Sequence, residues 1–264
     1  MPRSLGIAWL TTLSLDAPLV CIAWQGAISI EYGLSIEWHH RFLVFAAVWL
    51  GYSADRWLDA WRHKANVSRR HRFYRDRRWL LSSTWLIVLA TSLTIALLSL
   101  ANVELQRGFL LALLSIAFTS IIQFARFRAY QSLFKSILTA ILVTASILLF
   151  ASPTKENDRL AACLLLGSLF ISNCCLIHFW DRTIDALQEP NLDRDRRLKS
   201  LGLAVSLCCI SIVCFRHSPL ALPTLVCLAL LSLLHIFKRR LTGDDRRTLA
   251  DVCLILPLAP AIWL

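Results

Sequence analysis

Two short stretches of this sequence repeat one another, Asp55-Arg56-Trp57-Leu58-Asp59-Ala60 and Asp181-Arg182-Thr183-Ile184-Asp185-Ala186, each of the form Asp-Arg-x-x-Asp-Ala. Aspartates four positions apart lie about 40° apart around a helix, close enough to share one cation or to bind two side by side. Two such pairs facing one another would gather four carboxylates around a small cavity. Hard, oxygen-only donors suit Mg²⁺, which keeps several waters and bridges protein carboxylates to substrate phosphates. A diphosphate is the natural partner of such a site. The simpler alternative is local ion pairing at a helix end, Asp55 or Asp59 with Arg62. A second copy at an equivalent position weighs against it, because carboxylates near lipid are costly and seldom repeated without a ligand.

Both copies close long apolar runs. The chain is 57% hydrophobic and 17% charged, against roughly 45–50% apolar residues in a soluble domain, so it needs lipid around it. Apolar segments run at roughly 7–30, 41–61, 79–101, 108–124, 136–151, 160–180, 201–215, 219–237 and 248–264, which predicts nine membrane spans of about 20 residues or somewhat fewer and no sizeable soluble domain. The first run is too long for a signal peptide and contains Asp16 and Pro18, so it is expected to be retained as a span. All nine cysteines fall inside apolar runs with no Cys-x-x-Cys spacing, where cysteine behaves as a small hydrophobe rather than a zinc ligand or disulfide partner.

A net charge of +11 would point to nucleic acid in a soluble protein. Here topology accounts for it, and no nucleic-acid partner is expected. With the N-terminus cytoplasmic and the C-terminus outside, only Arg41, Arg107, Lys155, Arg159 and Arg216 of the 28 lysines and arginines fall on the outer side. Both acidic repeats then lie at the cytoplasmic ends of spans two and six. That separation of four spans suggests two related halves, roughly 1–128 and 129–264, within a single domain covering 1–264.

On these residues the chain resembles the UbiA superfamily of intramembrane prenyltransferases, which carry two aspartate-rich motifs at the cytoplasmic ends of helices two and six with long cytoplasmic loops after each. The resemblance covers essentially the whole chain. It implies an all-α integral membrane protein, a nine-helix transmembrane bundle around a central lipid-open cavity. It further implies two Mg²⁺ ions on Asp55, Asp59, Asp181 and Asp185, an isoprenyl diphosphate donor, and transfer of the prenyl group to a lipophilic, aromatic or other, acceptor. Two departures stand out. Gly51-Tyr52 occupies the place of the leading Asn-Asp of the family's first motif, and Ile177 stands one turn before Asp181 where a polar ligand is common.

Basic residues holding a diphosphate should lie beside the aspartates. The segment from Gln123 to Lys135 resembles the family's Tyr/Lys-bearing stretch and offers Arg128 and Lys135; Arg62 and Lys64 follow the first motif. Trp57 lies within the first motif and Trp180 beside the second, and with Tyr52 they are expected at the substrate pocket, where an aromatic face would stabilise an allylic cation. Asp16 is an ionisable residue within an apolar span, and orienting an acceptor, taking a proton and pairing with an arginine of a neighbouring helix all suit it. Asp251, four residues after Arg247, is expected to form an ion pair along its own helix. Beside prenyl transfer stand two other readings, a terpene cyclase that needs no acceptor and a non-enzymatic transporter or lipid-binding protein.

Overall fold

The computed structural model describes residues 8–62, 69–124, 131–180, 194–237 and 241–259. Every regular element among them is helical: α1 (Ala8–Thr12), α2 (Asp16–Glu31), α3 (Trp38–Arg62), α4 (Arg69–Asp76), α5 (Arg78–Ser99), α6 (Asn102–Phe124), α7 (Gln131–Leu148), α8 (Glu156–Trp180), α9 (Arg194–Cys214), α10 (Ala221–Phe237) and α11 (Gly243–Ile255), the last running into a 3₁₀ turn, Leu256–Leu258. Three helical segments are long and apolar enough to cross a membrane: Arg78–Ser99, Asn102–Ile121 and Glu156–Trp180.

Each apolar run of the sequence coincides with a helix, but not always with a full-length one. The first is broken into α1 and α2, and Pro18 supplies a reason. In a continuous helix its ring would collide with the carbonyl of residue 14, whereas in the first turn of a new helix proline is tolerated. The chain turns at Ser14, whose φ of 60° is left-handed. There the Leu15 amide reaches back to the Leu10 carbonyl (3.0 Å) and the Ser14 amide to that of Thr11 (3.3 Å), the paired bonds of a Schellman turn with serine in the place usually held by glycine. The Trp49 indole N–H of α3 donates to the Leu13 carbonyl at 3.0 Å, so the broken end keeps its partners. α2 ends by the same device at Gly33, also at φ 60°. At 16 residues, α2 is shorter than the roughly 20 needed to span the hydrocarbon core. α11, at 13, is shorter still.

The basic stretch after α3, expected to be a connection, contains α4. Its Tyr74 is buried, with the hydroxyl 2.7 Å from that of Ser14, which docks this amphipathic turn under the break in the first run.

α8 is the axis of the packing. It lies against α7 and α9 most extensively and also meets α10 and α11, while α2 packs on α3, α7 and α11. Their shared core contains Trp24 and Ile28 of α2, Leu165, Leu166 and Leu169 of α8, Cys227 and Leu231 of α10 and Leu254 of α11. α5 buries no residue at all; Leu98 is 82% exposed. In water such a surface would be untenable, and lipid contact is what a helix of this length and composition requires.

Candidate functional site

α3 runs unbroken through the first acidic repeat to Arg62, so Tyr52, Asp55, Arg56 and Asp59 follow one another at helical spacings of three and four. Two expected site residues meet here. Lys135, at the start of α7, donates to both carboxylate oxygens of Asp55, with Nζ 3.1 Å from Oδ1 and 2.9 Å from Oδ2. Both side chains are about two-thirds buried. The backbone of Asp59 and Arg62 continues the helix; their side chains, and the whole of Lys64, Arg128, Asp181 and Asp185, lie outside the described residues. α8 ends at Trp180, immediately before the second repeat. Among the described residues, no group of three metal-ligating side chains could hold an ion.

The adjacent arginine of the repeat turns inward. Arg56 is buried, with one guanidinium nitrogen 3.6 Å from Asp16 Oδ2 and the other donating to the Thr11 carbonyl. Of the roles open to Asp16, pairing with an arginine from a neighbouring helix is the one observed. Its second oxygen accepts the amide N–H of Ala17 at 3.1 Å, at the positive end of α2. A guanidinium that counts toward charge asymmetry in the sequence is therefore an internal counter-charge.

Tyr52, one turn before Arg56 on α3, stands near Asp16, Cys21, Cys174 and Asp251. Asp251 in turn lies near Asp16, Arg56 and Asn173. Arg247, one turn away on α11 and expected as its ion-pair partner, is not among the groups acting on Asp251. Tyr52 and Asp251 are each partly buried. Asn173 of α8 is buried, and its Oδ1 has no hydrogen-bond partner. Asp251 and Asn173 were not among the expected site residues. Asp251 carried the same signal as Asp16, a carboxylate within an apolar run, and the nearby arginine masked it.

The two tryptophans contact different parts of the bundle. Trp57 lines a small crevice with Trp49, Ser53, Tyr74, Leu81 and Trp85, between α3, α4 and α5, turned aside from Tyr52 by its place on the helix. Trp180 is buried and donates its indole N–H to His235 Nδ1 at 3.0 Å, fastening the end of α8 to α10. In that setting Trp180 is a packing anchor beside the second repeat.

No family model, no curated protein and no solved structure matches this chain.

Proposed function

We propose that the protein is a Mg²⁺-dependent membrane prenyltransferase of the UbiA kind, a nine-span bundle that moves an isoprenyl group from a diphosphate donor to a lipophilic acceptor. The observation that carries this reading is the contact of Lys135 with Asp55: an expected diphosphate-binding cation and an expected metal ligand, 80 positions apart, meet at one end of the bundle. The Asp55 carboxylate already receives a cation there, and its two oxygens are the hard donors that Mg²⁺ takes. Asp55 and Asp59 would hold one ion, Asp181 and Asp185 the other. When bound, the ions would supply charge neutralisation for the departing diphosphate.

The chain's own residues do the rest. Lys135, mobile on its four-carbon stem, can exchange its partner Asp55 for the oxygens of an incoming diphosphate and so stabilise the negative charge that develops as the C–O bond breaks. The apolar bundle around α2, α3 and α8 excludes water from the allylic cation left behind. Tyr52, partly buried one turn before Arg56 on α3, offers the acceptor a polar hydroxyl within that apolar wall.

The test is direct. Purified protein in nanodiscs, given farnesyl or geranylgeranyl diphosphate and Mg²⁺, should release pyrophosphate, and an Asp55→Asn, Asp181→Asn double variant should not. No release with either donor, or equal release by the variant, would overturn the reading. A hydrocarbon or terpene alcohol formed without any acceptor would instead identify a cyclase.

A further inference from the structure

α4 and the start of α5 form a basic elbow for which prenyl transfer has no use. Arg75, Arg77 and Arg78 are all exposed there. Arg75 is engaged by its neighbour, with Nε 3.6 Å from Asp76 Oδ1. Arg77 and Arg78 meet no carboxylate among the described residues. Each guanidinium instead lies over an aromatic ring, Arg77 at 5.8 Å from that of Phe73 and Arg78 at 5.6 Å from that of Trp79. An aromatic face supports the charge but leaves the in-plane N–H donors for oxygen ligands, and their fork suits phosphate. The crevice lined by Trp49, Ser53, Trp57, Tyr74, Leu81 and Trp85 adjoins these arginines. Arg78, Leu81 and Trp85 follow one another at helical spacings of three and four, so Arg78 shares a face of α5 with two of the lining residues and precedes them. From Arg78 to Trp85 is about 10 Å along the helix axis. Trp79 and Leu80, beside that face, are 77% and 58% exposed. Unpaired positive charge thus stands at the head of an aromatic and apolar surface, on a helix long and apolar enough to cross a membrane. A phosphate carried on a hydrocarbon chain matches both parts, whereas a soluble anion matches only the first and a neutral lipid only the second.

We propose that the elbow between α4 and α5 binds one anionic phospholipid, its phosphate held by Arg77 and Arg78 and the upper part of one acyl chain lying over the aromatic crevice between α3 and α5. Charge complementarity selects this occupant. On the orientation expected from the basic loops, the elbow meets the cytoplasmic leaflet, whose anionic lipids attract basic residues at the membrane surface. Trp79 suits the same depth, because an exposed indole favours the boundary between membrane and water. The lipid also acts on the fold. Tyr74 lines the crevice and places its hydroxyl 2.7 Å from that of Ser14, so a chain over the crevice presses α4 onto the turn between α1 and α2. The site draws on neither acidic repeat, and it stands or falls independently of prenyl transfer.

Delipidated protein in a neutral detergent, titrated with dioleoylphosphatidylglycerol and followed by native mass spectrometry and thermal unfolding, tests the site. One tightly held lipid is expected, with a rise in melting temperature, because a ligand of the folded state alone stabilises it. Dioleoylphosphatidylcholine, with the same chains and no net charge, should do neither at the same concentration. The double variant Arg77→Gln, Arg78→Gln should bind phosphatidylglycerol about 25-fold more weakly, roughly fivefold for each basic residue at an anionic surface. Its melting temperature without lipid should equal that of the wild type, since both side chains are exposed. Arg216→Gln, which removes an exposed arginine between α9 and α10, should bind as the wild type does. Equal binding of the two phospholipids, full binding by the double variant, or an equal loss in Arg216→Gln overturns the site. Glycerol 3-phosphate protecting as well as the lipid would reveal a soluble-phosphate site and overturn the lipid assignment. Farnesyl diphosphate displacing phosphatidylglycerol at equal concentration would give the elbow to the prenyl donor and overturn it too.

Discussion

Lys135 Nζ lies within 3.1 Å of both carboxylate oxygens of Asp55, joining the beginning of α7 to the C-terminal part of α3. Two residues selected for different roles thus occupy one place. Because the pair is partly exposed, its contribution to stability is small, on the order of 0–1 kcal/mol. Lys135→Met is therefore expected to shift the melting temperature little while weakening capture of a prenyl diphosphate about 10- to 100-fold, the value of a charge-assisted contact. Pyrophosphate release measured against donor concentration checks this, and an unchanged KM and rate would remove Lys135 from the site.

Arg56 is expected to behave in the opposite way. Arg56→Met leaves Asp16 buried without its guanidinium and the Thr11 carbonyl without its donor, a loss of about 3–5 kcal/mol for a broken buried pair. Thermal unfolding in detergent should show a large drop, with Arg56→Lys recovering part of it. A variant as stable as the wild type would mean that the pair contributes nothing net.

Tyr74 gives a pH dependence. Burial pushes its phenol up from the ordinary value near 10, while the Ser14 hydroxyl acts in the opposite sense. A raised value in the folded state means that the neutral phenol is favoured by folding, so its stabilisation is complete below the ordinary value and declines as pH climbs from there toward the folded one. Tyr74→Phe should cost about 1 kcal/mol at neutral pH through the lost hydrogen bond and should flatten the alkaline limb of the stability profile. Denaturation followed at pH 8 and at pH 11 separates the two effects.

The orientation has its own test. A membrane-impermeant maleimide added to intact cells should label Thr154→Cys, between α7 and α8, and should reach Ser68→Cys only after permeabilisation. The reverse pattern would invert the topology and move both acidic repeats to the outer face.

Helix spacing made the acidic face of α3 legible in the sequence, since aspartates at positions i and i+4 need only one unbroken helix to become neighbours. The break before Pro18 was legible in principle, because the ring forbids a carbonyl at residue 14, but a hydropathy window averages across it. Asp251 shows where local rules stop. Arg247 lies one turn away by arithmetic that holds for any helix, whereas Asp16, more than two hundred residues distant, becomes a neighbour only because α2 packs against α11. α4 was hidden for a related reason: its run of arginines sets orientation so effectively that the buried Tyr74 among them carried no signal until Ser14 was seen opposite it.

The left-handed turn at Ser14 leaves the end of α1 and the beginning of α2 abutting the same guanidinium. Arg56 caps the carbonyl of Thr11 on one side and balances Asp16 on the other, while Thr11 is fixed to Thr248 of α11 by a 2.7 Å hydroxyl contact. The short first helix is thereby a stopper, seated over the buried charges and held from two sides. Any motion that admits water or a substrate to Asp16 from that end must first lift α1 off Arg56.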